Sequence, residues 1–492
     1  MIKDLIYTKP EEVGISSAAI SKFVERMKEK KVNLHSFLIA KGGKIVTEGY
    51  YKPFDENFKH RLYSCSKTFV ALSIGRLIGE GKIRLDDKIM DLLPEYANEA
   101  QHKWLKECTA EDALKMSVPQ LSDTYMARDY KEWAWTFFNH PTKSKALKPA
   151  STVFNYNTSG SFILDVIVER LTGMTFLEYM RPIFDKIGVS KDIWCVKAPD
   201  GYSWGGSGVI CTLRDFAKVA ELLLHKGEYM GEQLLPRDYM EKATSKQICN
   251  IESNAYSTLV TKGYGYQTWI TSHGFAMNGM GSQFAFCFPE KDMIFVCQGD
   301  TQGAPVGDYI YEQFVHEVYE RVQDEPLQVG QAYNQLQAEV ENLTLNVDYG
   351  VAHMPFEEEI DGAEYVLEEN PMGWKRFRFD FTGETGTLTY ENARGEKRIH
   401  FGCNALQKGT FPETHYYGDQ VDVPANRELN CLADCSWTEE RKILLRVYII
   451  DNSFGNCFMT FGFKGNEVGL MMHKTAEFFL QEYVGFAGGR RA

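Results

Sequence analysis

Two periods of apolar recurrence divide the chain. Near its start, Phe37-Leu-Ile-Ala-Lys-Gly-Gly-Lys-Ile-Val46 sets apolar residues on both sides of a Gly-Gly pair, the signal of two short strands joined by a tight turn. From Lys67 onward Val70, Ile74, Leu77 and Ile78 fall at helical spacing, so a helix begins at or just after Ser64. A long, mostly helical stretch follows, with one helix running through Ile163, Ile167 and Leu171 to Gly173. Strand patterns return at Gln283 to Phe288 and Met293 to Cys297, joined by Pro289-Glu-Lys-Asp292, and a helical pattern runs from about Asp308 to Val322. Strands at both ends with helices inserted between them predict an α+β fold with a helical subdomain.

The pattern breaks around Asp324-Glu-Pro326. After one more expected helix, the acidic, turn-rich Pro355-Phe-Glu-Glu-Glu-Ile-Asp-Gly362 leads into period-two alternation. Phe377/Phe379/Phe381, Leu388/Tyr390, Ile399/Phe401, Met459/Phe461/Phe463 and Val468/Leu470/Met472 alternate with polar residues between Gly- and Asn-bearing turns. This predicts a C-terminal antiparallel β domain, barrel-like and closed by a helix near Thr475 to Tyr483. The expected division is a first domain over 1–325, a helical linker over 326–355 and an accessory β domain over 356–492.

Composition narrows the partners. A formal charge of −13 with no dense Lys/Arg block repels phosphate backbones, so nucleic acid is not expected as a partner. No apolar run is long enough to cross a bilayer, and the opening MIKDLIYTKPEEVGISS lacks the basic segment and apolar core of a secretory signal. A cytoplasmic protein without a membrane partner is expected. Eleven scattered cysteines suit a reducing compartment better than a disulfide framework. Cys431 and Cys435 form the one tight pair, and no further Cys or His at zinc-finger spacing completes a metal site.

Ser64 and Lys67 are the first candidates for chemistry. The free N–H groups and positive dipole end of a helix stabilise charge developing on a serine oxygen, and a lysine three residues on lies one turn later on the same face. The flanks, His60-Arg-Leu-Tyr-Ser64-Cys-Ser-Lys67 through Gly81, then Lys82-Ile-Arg-Leu-Asp-Asp-Lys-Ile89 and Leu93-Pro-Glu-Tyr96, carry a resemblance. They resemble the active-site helix of the serine β-lactamase, penicillin-binding protein and related esterase superfamily, where Ser-x-x-Lys holds the nucleophile. The resemblance spans roughly residues 8 to 320 and implies a β-lactamase-like antiparallel sheet flanked by helices.

Two further motifs follow from it. Asn155-Tyr156-Asn157-Thr158-Ser-Gly160 is similar to the family's Tyr-x-Asn element, which gives Tyr156 a proton-handling role, provided the Lys67 ammonium lowers its pKa. Thr158 stands where the family has asparagine; its hydroxyl could still bond Lys67, but it lacks the amide's paired donor and acceptor, and Asn157 could compensate only in a rotated loop. Met277-Asn278-Gly279 resembles the family's Lys/His-x-Gly motif with the glycine kept, for close substrate approach, and the cation absent. By resemblance the N–H of Met280 joins that of Ser64 as an oxyanion hole. His273 is a nearby base that could replace the missing cation, and Trp194 and Trp204, the latter leading into Gly205-Gly206, are candidates for lining a pocket.

These expectations combine into a serine hydrolase acting on a small ester or amide through a covalent acyl-enzyme, with no metal or organic cofactor. Lys67 and Tyr156 titrate as a unit, so the residues alone do not say which is the base. A β-lactamase or D,D-peptidase is the alternative within the fold, disfavoured because a carboxylate enters a semi-buried cleft unfavourably without a cation. Gly279-x-x-x-Gln283 looks more like the esterase and aminohexanoate-dimer hydrolase branches. A catalytically idle binding protein is the alternative of another class.

Overall fold

The Gly42-Gly43 pair takes left-handed φ values of 58° and 70°, which a two-residue hairpin turn requires, and joins β1 (Leu34–Lys41) to β2 (Lys44–Tyr50). The structure is a computed structural model that describes residues 5–492 apart from 127–128, 252–256, 258, 260, 346, 348, 413–420 and 422–427. Two compact units emerge, Met1–Leu345 and Asn346–Ala492.

In the first unit β3 (Trp269–Thr271), β4 (Gly274–Gly279), β5 (Gln283–Phe288) and β6 (Met293–Gly299) complete a six-stranded sheet in the order β2-β1-β6-β5-β4-β3. Every pairing in it is antiparallel. The longer helices are α1 (Ser17–Glu29), α2 (Ser66–Gly79), α3 (Thr158–Thr172), α4 (Phe176–Ile187), α5 (Leu213–Leu224), α6 (Gly307–Glu317) and α7 (Gln331–Glu341). α1 and α6 cover one face of the sheet through Phe23 and Phe314, whose rings lie 5.3 and 4.1 Å from that of Phe295 on β6. α5 covers the other, where its Ala220 carbonyl accepts the Cys287 thiol of β5. With both faces covered, β5 and β6 are buried along their whole length, which is why they read as continuous apolar runs.

α2 has no polar face. Every residue from Ser66 to Gly75 is buried, the helix being packed against α3 and α4. Gly75 admits the ring of Tyr239, which a Cβ there would meet at 2.6 Å, and the Tyr239 hydroxyl donates to the Ala71 carbonyl at 2.7 Å. α7 packs on α1 and β2; beyond it the Lys52 N–H donates to the Leu343 carbonyl at 2.9 Å, and its carbonyl accepts the Leu345 N–H at 3.2 Å.

The second unit holds β7 (Glu364–Leu367), β8 (Arg376–Thr382), β9 (Thr385–Asn392), β10 (Gly395–Cys403), β11 (Gln407–Phe411), β12 (Leu429–Glu439), β13 (Lys442–Ile450), β14 (Phe454–Lys464), β15 (Glu467–Ala476) and β16 (Gly485–Arg491). They form a ten-stranded sheet in the order β10-β9-β8-β7-β16-β15-β14-β13-β12-β11. A short parallel pairing, Gly402↔Asp434 and Cys403↔Cys435, joins β10 to β12 and closes the sheet as a barrel. Its interior is lined by the alternating residues of the sequence pattern, with the Phe461 ring 4.9 Å from those of both Phe377 and Phe379. The expected helix near Thr475 is not formed: β15 runs on to Ala476, and no described residue from there to Tyr483 is helical. Phe479, Leu480 and Tyr483 are instead buried as a plug, the Tyr483 hydroxyl 2.6 Å from that of Tyr390, while Lys474 donates to the carbonyls of Ala476, Glu477 and Phe479. Cys431 and Cys435 are free, and among the described residues no group of His, Cys, Asp and Glu is gathered as a metal site. No helix among them is long and apolar enough to cross a membrane.

Candidate active site

Ser64 sits in a short 3-10 turn, Tyr63–Cys65, that runs directly into α2. Tyr63 enters it with φ of 48°, an uncommon conformation for an aromatic residue. The turn is seated on the end of β4: a Cβ on Gly279 would fall 2.2 Å from the Leu62 carbonyl oxygen and 3.2 Å from Cys65 Sγ. Cys65 Sγ also donates to the Gln283 carbonyl of β5 at 3.2 Å. The glycine is therefore needed by the chain itself, to let the serine turn approach.

Lys67 Nζ lies 3.0 Å from Ser64 Oγ and donates to the Gly206 carbonyl at 2.7 Å. Tyr156 completes the group, its hydroxyl bonded to Ser64 and its ring centroid 5.0 Å from Lys67 Nζ. Burial pushes the Tyr156 hydroxyl well above the ordinary phenol range, although the bond to Ser64 pulls the other way. The expected depression of its pKa by Lys67 is not seen, and the ammonium lies over the ring face. Tyr156 is stacked on Trp269 at 5.4 Å and meets Tyr264 edge-on at 6.5 Å.

Alternation explains how Tyr156 is aimed. Asn155 Nδ2 donates to the carbonyls of Gln120 and Leu121 at 3.1 and 2.8 Å, and Asn157 Nδ2 donates to that of Ser122 at 3.0 Å. The Ser159 N–H donates to Asp123 Oδ1 at 3.0 Å, and its hydroxyl accepts the Thr124 N–H at 2.7 Å. Residues 155, 157 and 159 are thus stitched to one loop, while Tyr156 and Thr158 reach Ser64 and Gly206. Asn157 cannot compensate for the absent family asparagine, because its Oδ1 caps α3 by accepting the Gly160 N–H at 3.1 Å. Thr158 packs its methyl on Gly206, where a Cβ would come within 2.5 Å of it.

The outlying candidates fall in different places. Met277 is 1% exposed on β4, two residues from Gly279 and on its face, whereas Asn278 is partly exposed on the other. Met280 lies in the turn after Gly279, held by Gln283 Nε2, which donates to the carbonyls of Met280, Gly281 and Gly299 at 3.1, 3.2 and 2.7 Å. His273 stands at the opposite end of β4, about 20 Å from Gly279 by strand rise, so it cannot replace the missing cation. Trp204 is 0% exposed, with its ring 5.5 Å from that of Trp133, and is core rather than pocket lining. Trp194 lies in the short strand Trp194–Cys195, which pairs with Val209–Cys211 and is two strands away from the His60–Arg61 strand that leads to Ser64.

Three residues escaped the motif reading. Gly206 was visible only as part of a glycine-bearing loop, and it is the carbonyl partner of Lys67. Buried Gln267 binds three helical segments, donating to the carbonyls of Ala113 and Leu114 at 2.8 and 2.9 Å, bonding Ser161 of α3 at 2.7 Å, and accepting Thr68 of α2 on its carbonyl at 2.7 Å. Asp165 of α3 is buried behind Gly205, where a Cβ would meet its own Cβ at 2.8 Å; burial, with the Glu169 charge, raises its carboxyl far above the usual range.

The 6-aminohexanoate-dimer hydrolase of Paenarthrobacter ureafaciens is 24% identical over 286 residues, 53% of this chain and 71% of its own. Among solved structures, EstCE1, a hydrolase with promiscuous acyltransferase activity, is alike at a TM-score of 0.50 with 16% identity, over 62% of this chain and 99% of its own. The octameric penicillin-binding protein homologue of Pyrococcus abyssi is alike over 96% of this chain and 99% of its own, at 17% identity and a TM-score of 0.49. The family model described as Beta-lactamase matches residues 19–308, more than half of the sequence and the whole of the Ser64, Lys67 and Tyr156 constellation, and the chain belongs to the β-lactamase family of hydrolase fold.

Proposed function

We propose that this chain is a serine hydrolase that cleaves small, uncharged esters or amides through a covalent acyl-enzyme. The observation that carries the reading is the line of contacts from Gly206 O through Lys67 Nζ, at 2.7 and 3.0 Å, to the hydroxyl of Ser64. In its uncharged form Lys67 takes the Ser64 proton as the oxygen attacks the carbonyl carbon. The oxyanion is received by the N–H groups of Ser64 and Met280. Tyr156, whose burial keeps it a protonated phenol, passes a proton to the departing alcohol or amine, and the one held on Lys67 restores it. Water then attacks the acyl-enzyme by the same route in reverse, releasing the acid and the free serine. The assignment of Lys67 as base is supported by its direct contact with Ser64 and by the raised pKa of Tyr156.

The preference for uncharged substrates is supported by the resemblance of Met277-Asn278-Gly279 to the family's Lys/His-x-Gly motif, which sets Met277 against the family cation. An active-site-directed fluorophosphonate tests the proposal: covalent mass on Ser64, absent from Ser64→Ala, is expected. Failure of the wild-type protein to label would favour a binding protein on this fold.

A further inference from the structure

The loop from Gln120 to Tyr125 contributes no motif, yet it is hydrogen-bonded repeatedly to the Tyr156 segment. It offers its carbonyls to Asn155 and Asn157, and Asp123 takes the Ser159 N–H in the first turn of α3. Asp123 is also a carboxylate that couples to both members of the proton-handling pair. Its charge interacts with the Lys67 ammonium on α2 and disfavours ionisation of Tyr156.

Resting on the serine hydrolase reading above, we propose that Asp123 is a positioning residue of the reaction, which fixes the Tyr156 segment and supplies the counter-charge that holds resting Lys67 as an ammonium. The consequence is a setting of working pH. A negative charge beside the pair stabilises the ammonium and raises the pH at which the pair loses its proton and Ser64 becomes a nucleophile. Besides Lys67, the described groups facing Asp123 are the N–H groups of Thr158 and Ser159 and the more distant charge of Lys143; those facing Tyr156 are Ser64, Cys65, Lys67, Tyr264 and Asp123. Burial raises the carboxyl of Asp123, while Ser159 and Lys67 oppose that rise, so its charge is itself lost on the acid side.

Asp123→Asn separates charge from shape, because the amide oxygen can still accept the Ser159 N–H. The rate at which a fluorophosphonate labels Ser64, followed against pH in the full chain, reads nucleophilicity without turnover. The rising limb of that profile is expected about one pH unit lower in Asp123→Asn and unmoved in Asp123→Glu. For a neutral nitrophenyl ester the effect should fall on kcat, with KM changed less than about twofold. A wild-type protein that labels, with the limb unmoved in Asp123→Asn, would reduce the residue to a helix cap and overturn the proposal. An effect confined to KM, and only for cationic esters, would also overturn it, in favour of direct substrate binding. A wild-type protein that does not label at all defeats the hydrolase reading and this proposal with it.

Discussion

Neighbouring hydroxyls in the Ser64 turn have separate jobs. Ser66 points its Oγ at the Val209 N–H, 2.9 Å away and buried, whereas Ser64 faces Lys67. Ser64→Ala and Lys67→Ala should each lower kcat/KM by several orders of magnitude. Ser66→Ala should keep most activity and lose about 1–3 kcal/mol of stability in urea unfolding, since a buried N–H loses its acceptor. Asp165 gives a pH test. Its folded pKa lies above the unfolded value of about 4, so below that pH its contribution is intact, and as pH rises through the window the unfolded chain releases a proton that the native state retains. Stability should fall by up to about 1.4 kcal/mol per pH unit there, and the advantage of Asp165→Asn in urea midpoint should be larger at pH 8 than at pH 5. At Met277 the expectation concerns charge. A nitrophenyl ester should exceed nitrocefin in kcat/KM by roughly thirtyfold or more, the worth of a lost pairing to a buried carboxylate, and Met277→Lys should narrow the ratio.

Among elements, the helix that carries Lys67 and the strands of the second unit were both legible. The α2 helix announces itself by the spacing of Val70, Ile74 and Leu77, and the barrel strands by strict alternation that follows the buried face, because both signals are local. The stitched segment was not legible beyond Tyr156. Its bonds link Asn155, Asn157 and Ser159 to carbonyls and a carboxylate about 35 positions earlier in sequence, and no local period records such a pairing. Gln267 escaped for the same reason, being a single polar residue whose partners sit on three other segments. The plug after β15 misled in the opposite sense: Phe479, Leu480 and Tyr483 are spaced as on one helix face, but they are buried in non-helical chain. If the stitching aims Tyr156, Asn157→Ala should lower kcat more than KM and cost about 1–2 kcal/mol of stability, because it removes both the α3 cap and the tie to Ser122. Steady-state kinetics alongside thermal melts of the same variant would check it.

At the scale of the whole molecule, the expected boundary near residue 325 bears on any attempt to isolate the first unit. α7 packs on α1 and β2, and Leu343 and Leu345 extend that packing through the Lys52 backbone, so the cut should fall after Leu345. A protein ending at 345 should melt cooperatively, whereas one ending at 330 should be markedly less stable or insoluble; equal melting of the two would show that α7 contributes nothing.

The barrel's strand order has a consequence for synthesis. β7, the first strand of the second unit, pairs with β16 at Tyr365↔Arg491, and β16 pairs in turn with β15. Until residue 491 has left the ribosome, β7 and β15 each present an unpaired edge, and the ring cannot close however well the other strands have formed. During translation this unit is therefore an open sheet for its entire length, waiting on one seven-residue strand, and a premature stop before Gly485 would release it in that adhesive state.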